Sequence, residues 1–149
     1  MIADAVLSTA HFTAVFLLVG MLAAEFFVMR GPLGAEGVRQ LAMADRGYGI
    51  AAVLVIAAGV SRVYFGLKDE TYYFQLHSFW TKMGIFALAG IVSIWPTIRI
   101  LAWSRASKAN ASFVPPPGEV KAVRRLVLVQ AFLIVLIVIN AALMARGIG

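Results

Sequence analysis

Four long apolar stretches, residues 5–29, 48–67, 79–103 and 126–145, take up most of this chain of 149 residues. Each reaches the ~20 residues that an α-helix needs to cross a bilayer at ~1.5 Å per residue. Only helices and closed barrels satisfy their backbone in lipid, and these runs are too long and continuous for barrel strands. The composition agrees: 62% hydrophobic and 13% charged residues, with a mean hydropathy of +0.90, lie outside the range of soluble domains. The reading is all-α, an integral membrane four-helix bundle forming a single domain over residues 1–149.

The first stretch does not read as a cleaved signal. Its only preceding charge is Asp4, it is long enough to span, and it carries Glu25 near its end. The absence of cysteine excludes disulfides, thiolate metal sites and cysteine nucleophiles.

A net charge of +6 suggests nucleic acid until its distribution is examined. Arg30, Arg39 and Arg46 lie between the first two stretches, and Arg99, Arg105, Lys108, Lys121, Arg124 and Arg125 lie around the third connection. By the positive-inside rule these two connections are cytoplasmic and both termini lie on the outer, periplasmic side. The basic excess is an orientation signal and a contact for anionic lipid, with no nucleic-acid partner implied.

The connections carry their own signals. Gly31-Pro32-Leu33-Gly34 ends the first helix, residues 36–44 suggest a short interfacial helix, and Asp45 suits the N-cap of the second. Tyr64, Phe65, Tyr72, Tyr73, Phe74, Phe79 and Trp80 predict an outer aromatic belt, with Trp95 and Trp103 toward the inner interface. Pro115-Pro116-Pro117-Gly118 marks an exposed loop, after which Glu119 complements a helix N-terminus.

Polar residues interrupt all four stretches near their outer ends: His11, Arg62, Lys82 and Asn140. Arg62, Lys82 and Asn140 fall ~8 Å deep and His11 ~9–13 Å deep at helical rise. Ionisable groups in hydrocarbon cost at least ~2.5–3.5 kcal/mol each, so they serve a purpose or escape to an interface. No carboxylate shares this layer. Glu25 stands ~21 Å from His11 along its helix. Three solutions are open: the loop acids Asp69 and Glu70 fold inward, the cations snorkel outward, or a ligand completes the site. A porphyrin propionate, a quinone carbonyl or a lipid phosphate fills that last role.

Each residue carries alternatives. His11 is a haem ligand or proton carrier, or else an interhelix hydrogen-bonding group. His77 lies at the membrane surface. Asn140 and Gln130 suit interhelix hydrogen bonds. Glu25 pairs with Arg99 or Arg46, or belongs to a proton path. His11, Leu18, Leu22 and Glu25 share one helical stripe, as do Lys82, Phe86, Ala89 and Ser93, with Thr97 one turn on. Gly59 and Gly66 flank Arg62, and glycine lets a helix or a flat ring approach closely. Two histidines at different heights make a poor copper or zinc set, and no nucleophile–base pair supports hydrolysis.

Ala10-His11-Phe12, Leu22-Ala23-Ala24-Glu25, Asp45-Arg46-Gly47-Tyr48-Gly49-Ile50, Gly59-Val60-Ser61-Arg62-Val63, Phe79-Trp80-Thr81-Lys82, Ser93-Ile94-Trp95-Pro96-Thr97 and Met144-Ala145-Arg146-Gly147 carry a resemblance over the whole chain. It resembles a family of small bacterial inner-membrane proteins catalogued as a domain of unknown function, which implies a multi-pass protein of that membrane. The chain is also distantly similar to the HemJ-type protoporphyrinogen oxidases. That resemblance rests on a helix-one histidine, an arginine late in helix two, and Trp80-Thr81-Lys82-Met83. It implies b-type haem and functionally essential places for His11 and Lys82; with haem bound, His11 is the expected axial ligand and Arg62 and Lys82 the expected propionate-binding or catalytic groups. The chain lacks that family's tryptophan shortly after the helix-one histidine, and its inner connections differ.

Three functions follow as expectations. The first is a haem-binding or redox protein, whose enzymatic form is an oxidoreductase of the porphyrinogen or quinone type with a quinone or electron-transfer partner. The second is a small proton-coupled transporter using His11, Lys82 and Glu25. The third is a non-catalytic membrane subunit or assembly factor. Apolar faces on the first and fourth helices beyond the needs of one bundle suggest a homodimer.

Overall fold

The computed structural model describes residues 2–65, 75 and 77–146. Four helices follow one another: α1 Ile2–Val28, α2 Ala35–Phe65, α3 His77–Ala109 and α4 Pro117–Ala145. All four are long and apolar enough to cross a membrane. With 27, 31, 33 and 29 residues, they run ~40–50 Å, beyond the ~30 Å of a hydrocarbon core.

That surplus corrects the sequence boundaries. Residues 36–44 are no separate interfacial helix but the first turns of α2, and Asp45 is no N-cap, because it sits ten residues inside that helix. The physical reason is a continuous buried stripe. Val38, Leu41, Ala44, Asp45, Tyr48 and Ala51 recur at three- and four-residue spacing on one face. Likewise α4 begins at Pro117, nine residues before its apolar run, since proline at the first turn has no N–H to leave unsatisfied. The Gly31-Pro32 break between α1 and α2 stands as read from the sequence.

α1 packs most extensively on α2, and α3 on α4; α2–α3 and α1–α4 contacts close the bundle. The end holding the Gly31–Leu33 and 110–116 connections is here the basic end, and the opposite one the terminal end. The core is concentrated toward the basic end, where Leu22, Leu41, Tyr48, Ile100, Trp103, Val123 and Val127 form one cluster. Large apolar side chains such as Phe16, Val53, Ile91 and Phe132 point outward from all four helices. In water such surface would drive association, and in a bilayer it faces acyl chains.

Two of the expected aromatic positions are also placed differently. Trp103 is 2% exposed and belongs to the core rather than to an interfacial belt, whereas Trp95 is exposed. Tyr64, Phe65 and Trp80 are exposed at the terminal end and Phe79 is buried. Tyr72, Tyr73 and Phe74, like Gly66, Asp69 and Glu70, lie outside the described residues.

Candidate functional site

Two polar layers occupy the bundle, and each draws on several helices. Their relative heights follow from cross-helix contacts. Thr97 Oγ1 donates to Asp45 Oδ1 at 2.7 Å, which levels α3 with α2. From that bond Arg62 stands ~26 Å and Lys82 ~23 Å toward the terminal end. Gly59 lies against His11, so the histidine joins them from α1.

The terminal layer is cationic. The His11 imidazole lies within electrostatic reach of both Arg62 and Lys82, and Lys82 within reach of Arg62. All three are half-buried. Lys82 Nζ sits 5.4 Å from the Phe79 ring centre and the Arg62 guanidinium 5.9 Å from that of Phe12, so aromatic faces take the place of anions. No carboxylate among the described residues pairs with either cation. Gly59 packs closely on the histidine: a Cβ there would stand 3.4 Å from His11 Cε1, at the near edge of ordinary van der Waals contact. The ring that approaches at this glycine is the protein's own imidazole. The Val55 carbonyl, one turn away, lies beside that ring, yet Nδ1 makes no hydrogen bond of ordinary geometry.

Orphaned polar atoms collect here. His11 Nδ1, Arg62 Nε, Ser78 Oγ and Asn140 Oδ1 are all buried without a partner. Buried polar groups are normally satisfied, and each exception asks for an explanation. The expected interhelix hydrogen bonds of Asn140 and Gln130 are not formed among the described residues. Gln130 Nε2 reaches back to Leu126 O at 3.4 Å within its own helix, and its Oε1 is unpartnered. The side-chain amide shares that carbonyl with the backbone N–H of its own residue, one turn on in the helix. His77 is exposed at the start of α3, and its carbonyl accepts from Thr81 Oγ1 at 3.0 Å.

The second layer, toward the basic end, is acidic and far better buried. Glu25 is 2% and Asp45 6% exposed, near enough to interact with each other and with Tyr48. Glu25 Oε1 has no partner. The expected ion pair of Glu25 with Arg99 or Arg46 is not made. Arg46 is exposed, and Arg99 is engaged by Glu119, whose other oxygen accepts from Trp103 Nε1 at 3.0 Å. The start of α4 brings Glu119 to Arg99 and so removes the cation from Glu25.

Sequence reasoning missed Asp45 and Tyr48 as members of this layer. The signal was present in the periodic stripe from Val38 to Ala51, which the hydropathy minimum over residues 36–46 hid.

This arrangement offers an imidazole with two cations that no described carboxylate neutralises at one end and a pair of buried carboxyl groups at the other. No curated protein and no solved structure matches the chain. A family model described as "Predicted membrane protein (DUF2214)" matches residues 3–149, nearly the entire length. With its four membrane-length helices and a match over almost every residue, the chain belongs to the DUF2214 family of predicted membrane proteins, a domain of unknown function.

Proposed function

We propose that the protein is a haem-binding membrane protein with a redox role, its cofactor held at the terminal end of the bundle. The observation that carries this reading is the His11 imidazole, its Nδ1 beside the Val55 carbonyl but without a hydrogen bond of ordinary geometry, next to two cations that no carboxylate among the described residues neutralises. The donor set fits haem b. Val55 O beside the ring suits the backbone carbonyl that commonly orients a metal-ligating histidine. His11 would supply the axial nitrogen, and Arg62 and Lys82 would receive the propionates. Haem so bound supplies one-electron chemistry, with a quinone or electron-transfer protein as the partner class. Phe12 and Phe79 hold the cations in place without neutralising them.

The remote likeness to HemJ-type oxidases supports this reading and extends it to oxidoreductase activity of the porphyrinogen or quinone type. The charge distribution supports a bacterial inner membrane with the basic end in the cytoplasm and both termini in the periplasm. A homodimer suits the exposed apolar faces of α1 and α4. The test is the visible absorption spectrum of the purified protein, before and after reconstitution with haem. A Soret band is expected, lost in His11→Ala and weakened in binding titrations of Lys82→Met. A colourless protein that takes up no haem ends the reading.

The buried pair Glu25 and Asp45 favours a second reading, proton-coupled transport. Two adjacent carboxylates without a cation are costly in a dry interior, each losing several kcal/mol of hydration, so the pair is suited to take up and release a proton. Proton-driven flux in liposomes that disappears in Glu25→Gln and persists in His11→Ala would select this reading over the first.

A further inference from the structure

At the basic end a surface concavity of about 330 Å³ opens between the α1–α2 connection and the start of α4. Its lining is of two kinds. Leu33 and Pro115 form an apolar floor, and Lys121 and Arg124 line it from α4. The two cations are three residues apart, hence neighbours on one face of α4. Neither forms an ion pair among the described residues. The nearest acid of that helix, Glu119, does not line the concavity, and both its oxygens are taken by Arg99 and Trp103.

We propose that this concavity binds the headgroup of an anionic phospholipid. Charge complementarity selects an anion: two free cations, and no acid in the lining. The surface beyond the concavity selects a lipid over a soluble phosphate. Running along α4 from Lys121, the three- and four-residue steps pass Leu128, Phe132 and Val135, which are 49%, 62% and 53% exposed. A phosphate held by Lys121 and Arg124 therefore places its acyl chains on a ready apolar track. Val114, also exposed, borders the mouth where glycerol carbons would lie. Basic pockets at the ends of membrane helices are sites of this kind.

The experiment uses the full chain in neutral detergent, titrated with phosphatidylglycerol or phosphatidylcholine and read by native mass spectrometry. Phosphatidylglycerol is expected to stay bound where phosphatidylcholine does not. The Lys121→Gln/Arg124→Gln variant should lose roughly tenfold or more in phosphatidylglycerol affinity, and Lys121→Gln alone roughly fivefold. The control is Arg105→Gln/Lys108→Gln, which removes two cations from the same end outside the concavity and should change little. An equal loss in that control, equal retention of both lipids, or displacement by inorganic phosphate at the lipid's own concentration overturns the proposal. Lys121 is exposed, so its single variant reports even where the double one is destabilised.

Discussion

The two ends of this bundle handle the same problem, polar groups inside an apolar protein, in opposite ways. At the basic end the acids are mostly answered: the deeply buried Asp45 by Thr97, and the partly exposed Glu119 by Arg99 and Trp103. At the terminal end the cations are only half-buried and, among the described residues, meet aromatic faces and no anion, beside four orphaned polar atoms. The first arrangement locks helices together. The second leaves hydrogen-bonding capacity unspent among the described residues. Glu25 is the exception that links them, since it is buried like Asp45 and unpartnered like the second group.

If the basic end is the structural lock, the largest effect on stability comes from its centre. Trp103→Ala removes a core indole and the donor to Glu119, and should destabilise by about 3–5 kcal/mol, read as a lowered thermal midpoint in detergent. A change as small as that of a surface residue would erase the distinction between the ends. Thr97→Val comes next. It preserves shape but leaves Asp45 Oδ1 without its donor, for an expected loss of about 1–3 kcal/mol. The smallest effect belongs to the terminal end. Asn140→Leu removes an oxygen that has no partner, and should be neutral or stabilising by up to about 1 kcal/mol. A clear destabilisation there would show that Asn140 is bonded in the folded protein, making the terminal end a lock as well.

Which parts of this could be read from the chain depends on what each signal measures. Apolar runs measure hydrocarbon, so they announced four helices and understated every one of them, because α2, α3 and α4 continue well past their apolar runs as amphipathic segments. The depth argument for His11, Arg62 and Lys82 needed only helical rise, and the structure brings those three together. The acidic layer needed more. Asp45 standing at the edge of an apolar run looks like an N-cap, and only its phase with Leu41, Tyr48 and Ala51 shows it facing inward. Glu25 was read as half of an ion pair because Arg99 and Arg46 are cations at its end of the bundle. That Glu119 claims Arg99 depends on where α4 starts, which is decided by the turn at Pro115–Pro117 and carries no hydropathy signal.

The pairing of α1 with α2 and of α3 with α4 has a consequence for how such a protein is made. The chain is two hairpins, and the seam between them runs through both polar layers. His11, Arg62, Glu25 and Asp45 arrive on the first hairpin, Lys82, Asn140 and Thr97 on the second. During synthesis the first hairpin precedes the second, so Asp45 is made before its donor Thr97, and His11 and Arg62 before Lys82. Docking of the hairpins is thus the moment at which Asp45 gains its donor and Lys82 completes the cationic cluster that His11 and Arg62 begin on the first hairpin.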